Sequence, residues 1–141
     1  TKLRWCRSED ILTDIWLKFA SNIANNLPQA VVGAPASLYQ KSEHGRFLAQ
    51  KLWSEAAAVA KSKGVRLAEE VLIFPGQTPT AKYSTLQDLE AGRHTEIDMF
   101  AGQMICMAEE AGIPVPYCEY TFHTIKALEE KNDGLFTAEG N

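Results

Sequence analysis

A helical segment near the start of the chain constrains the fold most, because it is apolar on nearly every side and yet carries three regularly spaced polar residues. Lys18, Asn22 and Asn26 recur every four positions. At about 100° per residue, these three side chains fall within an arc of roughly 80° along one helix. Ile11 and Ile15 share that arc. We therefore expect the polar stripe to lie on the buried side of the helix.

The stripe has two interpretations. An ammonium and two carboxamides are costly to leave unpaired in a core, whereas a cleft that holds a polar ligand would satisfy all three. Alternatively, Lys18 extends its charge to water and the two asparagines bond to neighbouring backbone. The residues alone leave both interpretations open.

The composition indicates one soluble domain. A chain of 141 residues, of which 45% are hydrophobic, is long enough to bury a core. The net charge is −4 and no basic run alternates with aromatic residues, so nucleic acid is not an expected partner. No apolar run has the length of a membrane span and no signal peptide is visible. We expect a cytoplasmic protein that does not enter the membrane.

The chain carries no pattern typical of a metal site or a disulfide framework. Its cysteines and histidines are few and widely separated: Cys6, Cys106, Cys118, His44, His94 and His123. Such spacing supports neither a thiolate nor a histidine metal site, and we expect none.

Periodicity and capping residues predict an all-α fold. The predicted helices are 8–25, a long second helix that Ser37 or Ser42 can cap and that Gly64 ends, and then 68–74, 86–91, 95–111 and 117–131. Asn26 and Pro28 are expected to interrupt the first helix before 29–32 resume it. No strand alternation is evident. We divide the chain into a junction at 1–7 with an extended piece at 2–7, a helical domain at 8–132 and a flexible tail at 133–141.

Two further residues are candidates for a site. Glu96 is predicted in the first turn of a helix, where the free amides stabilise a carboxylate. Ser84 begins Ser84-Thr-Leu-Gln87, which has the spacing of a capping box. Each has an ordinary structural interpretation as a residue that supports its helix. Together with the stripe they would suit a small polar anion with a carbonyl or hydroxyl group, for which Lys18 neutralises charge and supplies a proton.

At these positions the sequence resembles the C-terminal domain of the ketopantoate reductase (2-dehydropantoate 2-reductase) family. The motifs that carry the resemblance run in family order: Trp16-x-Lys18-x-x-x-Asn22-x-x-x-Asn26, Gly33-x-Pro35, Ser84-x-Leu-Gln-Asp-Leu-Glu-Ala-Gly-Arg-x-Thr-Glu-Ile-Asp98 and Glu109-Glu-x-Gly-Ile-Pro-x-Pro116. They span residues 8–131, and the 86–98 block is the most specific of them.

The resemblance implies a helical domain of the type found at the C terminus of 6-phosphogluconate dehydrogenase, which packs against an N-terminal Rossmann domain and holds NADPH and a 2-oxo acid in the cleft between them. It implies that Lys18 is the general acid and that Asn22, Asn26 and Ser84 bind substrate. Glu96 would hold the hydroxyl group of the substrate as a second catalytic residue. The implied reaction is reduction of ketopantoate to pantoate, a step towards coenzyme A.

The chain lacks a Gly-x-Gly-x-x-Gly turn and begins at Thr1 without a methionine. We therefore expect a piece of a longer polypeptide that is inactive alone, because half of the cofactor site, including the residues that choose between NADPH and NADH, is absent.

Three questions stay open at the sequence level. Ala36 stands where some family members carry a substrate-binding asparagine, which leaves room for another 2-oxo acid as substrate. A stand-alone helical module that binds a partner, without reductase activity, is an alternative from a different class. The last helix carries apolar residues on more than one face, which is compatible either with a homodimer or with packing against the missing domain.

Overall fold

The computed structural model describes residues 8–136, apart from the side chains of residues 8–10. These residues form no β-strand and six α-helices: α1 (Ser8–Val32), α2 (Ser37–Lys41), α3 (Glu43–Ser62), α4 (Ser84–Glu90), α5 (Gln103–Ala111) and α6 (Pro116–Asn132). The predicted all-α fold is thus confirmed. The expected junction at 1–7 and the last five residues of the expected tail lie outside the described residues.

Helix α1 is the centre of the domain, because α3, α4 and α6 all pack against it. Ala20, Ile23, Ala24 and Leu27 on α1 have no exposed surface. They contact a core to which α3 contributes Trp53 and several small residues. No helix within residues 8–136 has both the length and the apolar character required to cross a membrane.

Helix α1 continues through Pro28, so the predicted interruption at Asn26 and Pro28 is wrong. Proline removes one helical hydrogen bond, typically at a cost of about 3 kcal/mol. The surroundings of α1 offset this cost, since residues 23–30 are buried without a break. The hydroxyl of Tyr39 also donates to the carbonyl of Asn25, one turn before the proline.

The long segment between α3 and α4 contains no helix, which corrects the predicted helix at 68–74. Side chains of α1 and α3 bind its backbone instead. Gln50 donates to Glu69 O over 2.9 Å and accepts from Val71 N over 2.9 Å. The indole of Trp53 donates to Ala68 O over 2.7 Å. These bonds use the backbone groups that a helix would have used internally, so the apolar composition did not decide the conformation.

Two carboxamides of α1 hold the rest of this segment. Asn25 donates to Leu72 O over 2.8 Å and accepts from Phe74 N over 3.0 Å. One turn later, Gln29 donates to Ala81 O over 3.0 Å and accepts from Tyr83 N over 2.9 Å. Both side chains are buried. The loop is therefore fixed to α1 along most of its length.

The ends of the predicted helices agree with the structure in position but not always in chemistry. Of the two predicted caps, Ser42 caps α3, since its hydroxyl accepts from Gly45 N over 3.1 Å. Ser37 is instead the first residue of the short helix α2. The chain leaves α3 at Gly64, where φ is +85°. Ser84, by contrast, is the first residue of α4, and the cap is Tyr83 without a side-chain bond. The predicted capping box is therefore wrong, although α4 itself is present.

The predicted helix 95–111 begins with one widened turn. Residues 98–102 form a π-helical turn, in which Gly102 N donates to Ile97 O over 3.0 Å, and α5 follows directly. Such turns are frequent at functional sites.

Helix α6 is capped from α3, because the carboxylate of Glu55 accepts from Tyr117 N over 2.8 Å and from Cys118 N over 2.7 Å. Burial raises the pKa of Glu55, while these two bonds oppose that rise.

A polar cluster joins the end of α6 to the loop before the π-turn. Glu129, buried on α6, accepts from Thr95 N and Thr95 Oγ1, both over 2.7 Å. His94 Nε2 lies 2.7 Å from Asp133 Oδ2, and His94 Nδ1 lies 3.8 Å from Glu129 Oε1. The hydrogen bond with Asp133, followed by the charges of Asp133 and Glu129, raises the pKa of His94.

Replacing Asn25 with alanine should destabilise the domain, because it removes three hydrogen bonds and leaves Leu72 O and Phe74 N without these partners. We expect a loss of about 2–4 kcal/mol in the free energy of unfolding, measured by urea denaturation. Asn22→Ala is the matched control, since Asn22 lies on the same helix without a hydrogen bond to another described side chain or backbone group. Equal losses in the two variants would contradict the role assigned to Asn25.

The His94 cluster predicts a pH dependence of stability. A histidine whose pKa is raised in the folded state stabilises the protein below its unfolded pKa of about 6.5. That contribution is lost as the pH rises through the folded value. NMR titration should show a pKa of His94 above its usual range in the native protein and a lower value in Asp133→Asn. Glu130→Gln, which alters a neighbouring exposed carboxylate, should leave it unchanged; equal titration in all three proteins would refute the pairing.

Candidate functional site

The predicted stripe on α1 runs from solvent into the core. Lys18 is exposed, Asn22 is half-buried and Asn26 is buried, with 6% of its surface exposed. Lys18 and Asn22 form no side-chain hydrogen bond or ion pair with any other described residue. Their polar groups are therefore available to a ligand or to solvent.

The expectation that the whole stripe lies on the buried side is wrong for the first half of α1. Ile11, Leu12 and Ile15 are 50%, 40% and 58% exposed. The core of the described residues lies against the second half of α1, so the first half presents apolar and polar groups together on an open face. Trp16 is the exception, since it is buried and packs edge-on against Phe19.

The structure brings Ser84 to the inner end of the stripe. Asn26 Nδ2 lies 3.5 Å from Ser84 Oγ, although the two residues are 58 positions apart. This contact exists because Gln29 holds Tyr83, the residue that precedes α4, against α1. Two residues that the sequence suggested separately, for substrate binding, are thus neighbours in the fold.

Four buried oxygen atoms have no hydrogen-bond partner in the part of the chain that the structure describes. They belong to residues of α1 and to the start of α4: Ser21, Asn26, Tyr83 and Thr85. Unsatisfied buried polar atoms are uncommon, and each of these four can accept a hydrogen bond that no described residue supplies. For Asn26, the free acceptor is Oδ1, next to the Ser84 contact. The inner end of the stripe therefore keeps an unused hydrogen-bonding group.

Glu96 lies two residues before Asp98, where the π-turn begins, so its predicted place in the first turn of a helix is wrong. Its carbonyl accepts from Met99 N over 2.9 Å and from Phe100 N over 3.2 Å. Its carboxylate is exposed and has no partner among residues 8–136. The π-turn that follows contacts α1, yet no bond joins Glu96 to Lys18, Asn22 or Asn26.

Ala36, the position at which the sequence departs from some family members, is 3% exposed. Its amide donates to Ala81 O over 2.9 Å, the same carbonyl that Gln29 binds. A methyl group here supplies no donor or acceptor to a ligand.

An apolar groove of about 350 Å³ lies elsewhere on the domain, between α1, α3 and α6. Its lining includes Pro28, Val31, Leu48, Leu52, Tyr117 and Tyr120. On the wheel of α1, Pro28 and Val31 lie roughly opposite the stripe. The groove is thus separate from Lys18, Asn22 and Asn26.

Among residues 8–136, no group of three histidine, cysteine or acidic side chains is placed to bind a metal ion.

The sequence interpretation missed Glu129, which stabilises the loop before Glu96. A signal for it existed, because Cys118, Ile125 and Glu129 recur at spacings of seven and four and so share one face of α6. A carboxylate on an otherwise apolar face needs a partner. That partner, Thr95, could not be identified without the fold.

The chain is similar to proteins of one known family. Residues 10–129 match the family described as ketopantoate reductase PanE/ApbA, C terminal. The 2-dehydropantoate 2-reductase of Pyrobaculum aerophilum is 34% identical over 125 residues, which cover 86% of this chain and 45% of that protein.

Two solved structures have a similar fold. The dimeric ketopantoate reductase of Staphylococcus aureus is 20% identical with a TM-score of 0.78, over 86% of this chain and 44% of that one. D-mandelate dehydrogenase, in a ternary structure with NADH and anilino(oxo)acetate, is 22% identical with a TM-score of 0.80, over 89% and 55% of the two chains.

The chain spans less than half the length of the 2-dehydropantoate 2-reductases that it matches. The match over residues 10–129 includes the stripe, Ser84, Glu96 and Glu129. The resemblance seen in the motifs is confirmed: this chain belongs to the ketopantoate reductase family, and it corresponds to the C-terminal domain of that family.

Proposed function

We propose that this chain is the helical half of an NADPH-dependent 2-dehydropantoate 2-reductase, which reduces the ketone of ketopantoate to the alcohol of pantoate. The observation that supports this most directly is the open face of α1. There, an exposed lysine without a partner among the described residues is aligned with Asn22 and Asn26, while the opposite side of the helix is buried. A structural lysine needs no such alignment with two carboxamides.

Lys18 is the general acid in this proposal. Its ammonium hydrogen-bonds the ketone oxygen and interacts more strongly with that oxygen as negative charge develops in the transition state. The lysine then donates a proton to the oxygen as the alcohol forms. When bound, NADPH supplies the hydride that reduces the carbonyl carbon, and this part of the chemistry belongs to the cofactor.

The remaining residues orient the substrate. Asn22 has free amide groups halfway along the stripe, and Asn26 keeps an unused oxygen beside Ser84. We assign these three residues to the polar groups of the 2-oxo acid. Glu96, whose carboxylate is exposed, accepts a hydrogen bond from the hydroxyl group that ketopantoate carries in addition to its ketone.

The exposed apolar residues Ile11, Leu12 and Ile15 support a second domain on this side of α1. Their exposures of 40–58% are high for large apolar side chains beside a polar site. We assign this face to contact with an N-terminal Rossmann domain that carries most of the NADPH site. The described residues then form one wall of a cleft, with Lys18 at its mouth.

A second candidate substrate is another 2-oxo acid, and Ala36 favours it. Because Ala36 offers no polar group, the position that is an asparagine in some family members cannot hydrogen-bond a substrate here. The fold is shared with D-mandelate dehydrogenase in complex with NADH. NADH and aromatic 2-oxo acids therefore belong in any test of specificity.

We also propose that the complete protein is a homodimer that associates through the groove between α1, α3 and α6. Around this groove, Phe47, Tyr117 and Tyr120 are 50%, 40% and 74% exposed. The similar structure from Staphylococcus aureus is described as dimeric.

Light scattering should give twice the chain mass for the complete protein and the single mass for Tyr120→Glu. Leu72→Glu is the control, because Leu72 is an exposed apolar residue that does not line the groove. A monomeric native protein would exclude the dimer.

The test of function is oxidation of NADPH and of NADH by the complete polypeptide, with ketopantoate and a panel of other 2-oxo acids. We expect the highest kcat/KM with NADPH and ketopantoate. Faster turnover of another acid would transfer the function to the second candidate, and no turnover with any acid would contradict a reductase.

Replacing Lys18 with alanine should lower kcat by roughly 10²–10⁴-fold, the usual contribution of a general acid. Lys18→Arg keeps the charge but donates a proton poorly at neutral pH, so it should also be slow. Lys61→Ala, an exposed lysine at the end of α3, is the matched control. Near-normal turnover in Lys18→Ala would exclude the role of general acid.

A further inference from the structure

Glu129 is a buried carboxylate that the proposed chemistry does not use. Only 3% of its surface is exposed, and it shares a face of α6 with Cys118 and Ile125, which are also buried. Glutamate is almost never buried to this extent unless it is paired. Its nearest basic groups, Lys126 Nζ and His94 Nδ1, are each 3.8 Å away, which is too long for a hydrogen bond. The close partners of Glu129 lie in the loop before the π-turn.

Those partners are the backbone and side chain of Thr95. Glu129 Oε2 accepts from Thr95 N and from Thr95 Oγ1, both over 2.7 Å. Hydrogen bonds of this length to a carboxylate are about twice as strong as neutral ones. Thr95 Oγ1 then accepts from Ile97 N over 3.1 Å. One buried carboxylate thus fixes the residues on either side of Glu96.

The carboxylate of Glu96 itself has no partner within residues 8–136. Its direction therefore depends on its backbone, since no side-chain contact holds it. The backbone is held from the N-terminal side by Glu129 through Thr95, and from the C-terminal side by the bonds of Met99 N and Phe100 N to Glu96 O. Without the bonds between Glu129 and Thr95, the backbone of Glu96 would be held only by its bonds to the π-turn.

We propose that Glu129 is a positioning residue, which directs the carboxylate of Glu96 towards the substrate by anchoring Thr95. This inference rests on the proposed function for the role of Glu96, but the anchoring can be measured separately. Site residues require support of this kind, because a displacement of about 1 Å can cost a large factor in rate.

The first test is a double-mutant cycle in the complete polypeptide. Glu129→Ala should lower kcat/KM for ketopantoate by roughly tenfold or more, and Glu96→Gln should lower it as well. Because Glu129 acts through Glu96, the double variant should lose little more than Glu96→Gln alone. Both single variants should affect a 2-oxo acid that lacks the hydroxyl group of ketopantoate much less. The proposal would be overturned if the double variant showed the product of the two single losses. It would also be overturned if the single variants lost as much activity with the acid that lacks the hydroxyl group as with ketopantoate.

A conservative series separates positioning from general destabilisation. Glu129→Gln keeps an oxygen that accepts from Thr95, and Thr95→Ser keeps the hydroxyl group, so both should retain most of the activity. Thr95→Val removes the hydroxyl group and should resemble Glu129→Ala in its selectivity for the hydroxylated acid. If Thr95→Ser and Thr95→Val lose activity equally, the bond to Oγ1 does not position Glu96.

Hydrogen exchange tests the anchoring without activity. In Glu129→Ala, the amide protons of Thr95 and Ile97 should exchange at least about tenfold faster than in the native protein, while those in the middle of α3 should be unchanged. Unchanged exchange at Thr95 would overturn the proposal even in an active reductase. Conversely, a native protein that reduces no 2-oxo acid but shows the expected exchange would refute the proposed function and support the anchoring of the loop.

Discussion

The fold depends on two buried carboxamides in the second half of α1, on the same side of the helix as the stripe. Asn25 and Gln29 lie one turn apart on α1 and bind the backbone of the long loop at four points, from Leu72 to Tyr83. Without these bonds, the loop would have to satisfy its polar groups elsewhere, and the start of α4 would not be held against α1. The position of Ser84 beside Asn26 follows from them. The bonds of Asn25 and Gln29 to the loop thus position Ser84, a candidate substrate-binding residue.

The same helix separates structure from function by position along its length. Its second half is buried on all sides and tolerates Pro28, because the surrounding elements compensate for the lost hydrogen bond. Its first half is exposed on the side that carries Ile11, Ile15 and Lys18. Glu129 provides the corresponding support across the domain, since it holds the loop that carries Glu96. Asn25, Gln29 and Glu129, which give this support, are buried. Lys18 and Glu96, the two proposed catalytic residues, are exposed.

Much of this was predictable from the sequence, because helical periodicity, caps and breakers act locally. The helices α3, α5 and α6 end near the expected residues, and the candidate site residues lie in two of the family motifs. Two of the failures had non-local causes. The apolar run 68–74 was predicted as a helix, but Gln50 and Asn25, distant in sequence, use its backbone groups. Exposure of the first half of α1 was also missed, because an apolar helix face does not reveal which part of the protein covers it.

The central claim is that Lys18, Asn22 and Asn26 face a ligand, and Asn25 provides an internal control for it. Side-chain amide resonances of the asparagines should be followed by NMR in the complete polypeptide, as a 2-oxo acid is added with the oxidised cofactor. The account predicts that the amides of Asn22 and Asn26 shift, whereas that of Asn25, already bonded to Ser21 O and Leu72 O, does not. Formation of the ternary complex without shifts at Asn22 and Asn26, or with the largest shift at Asn25, would contradict it.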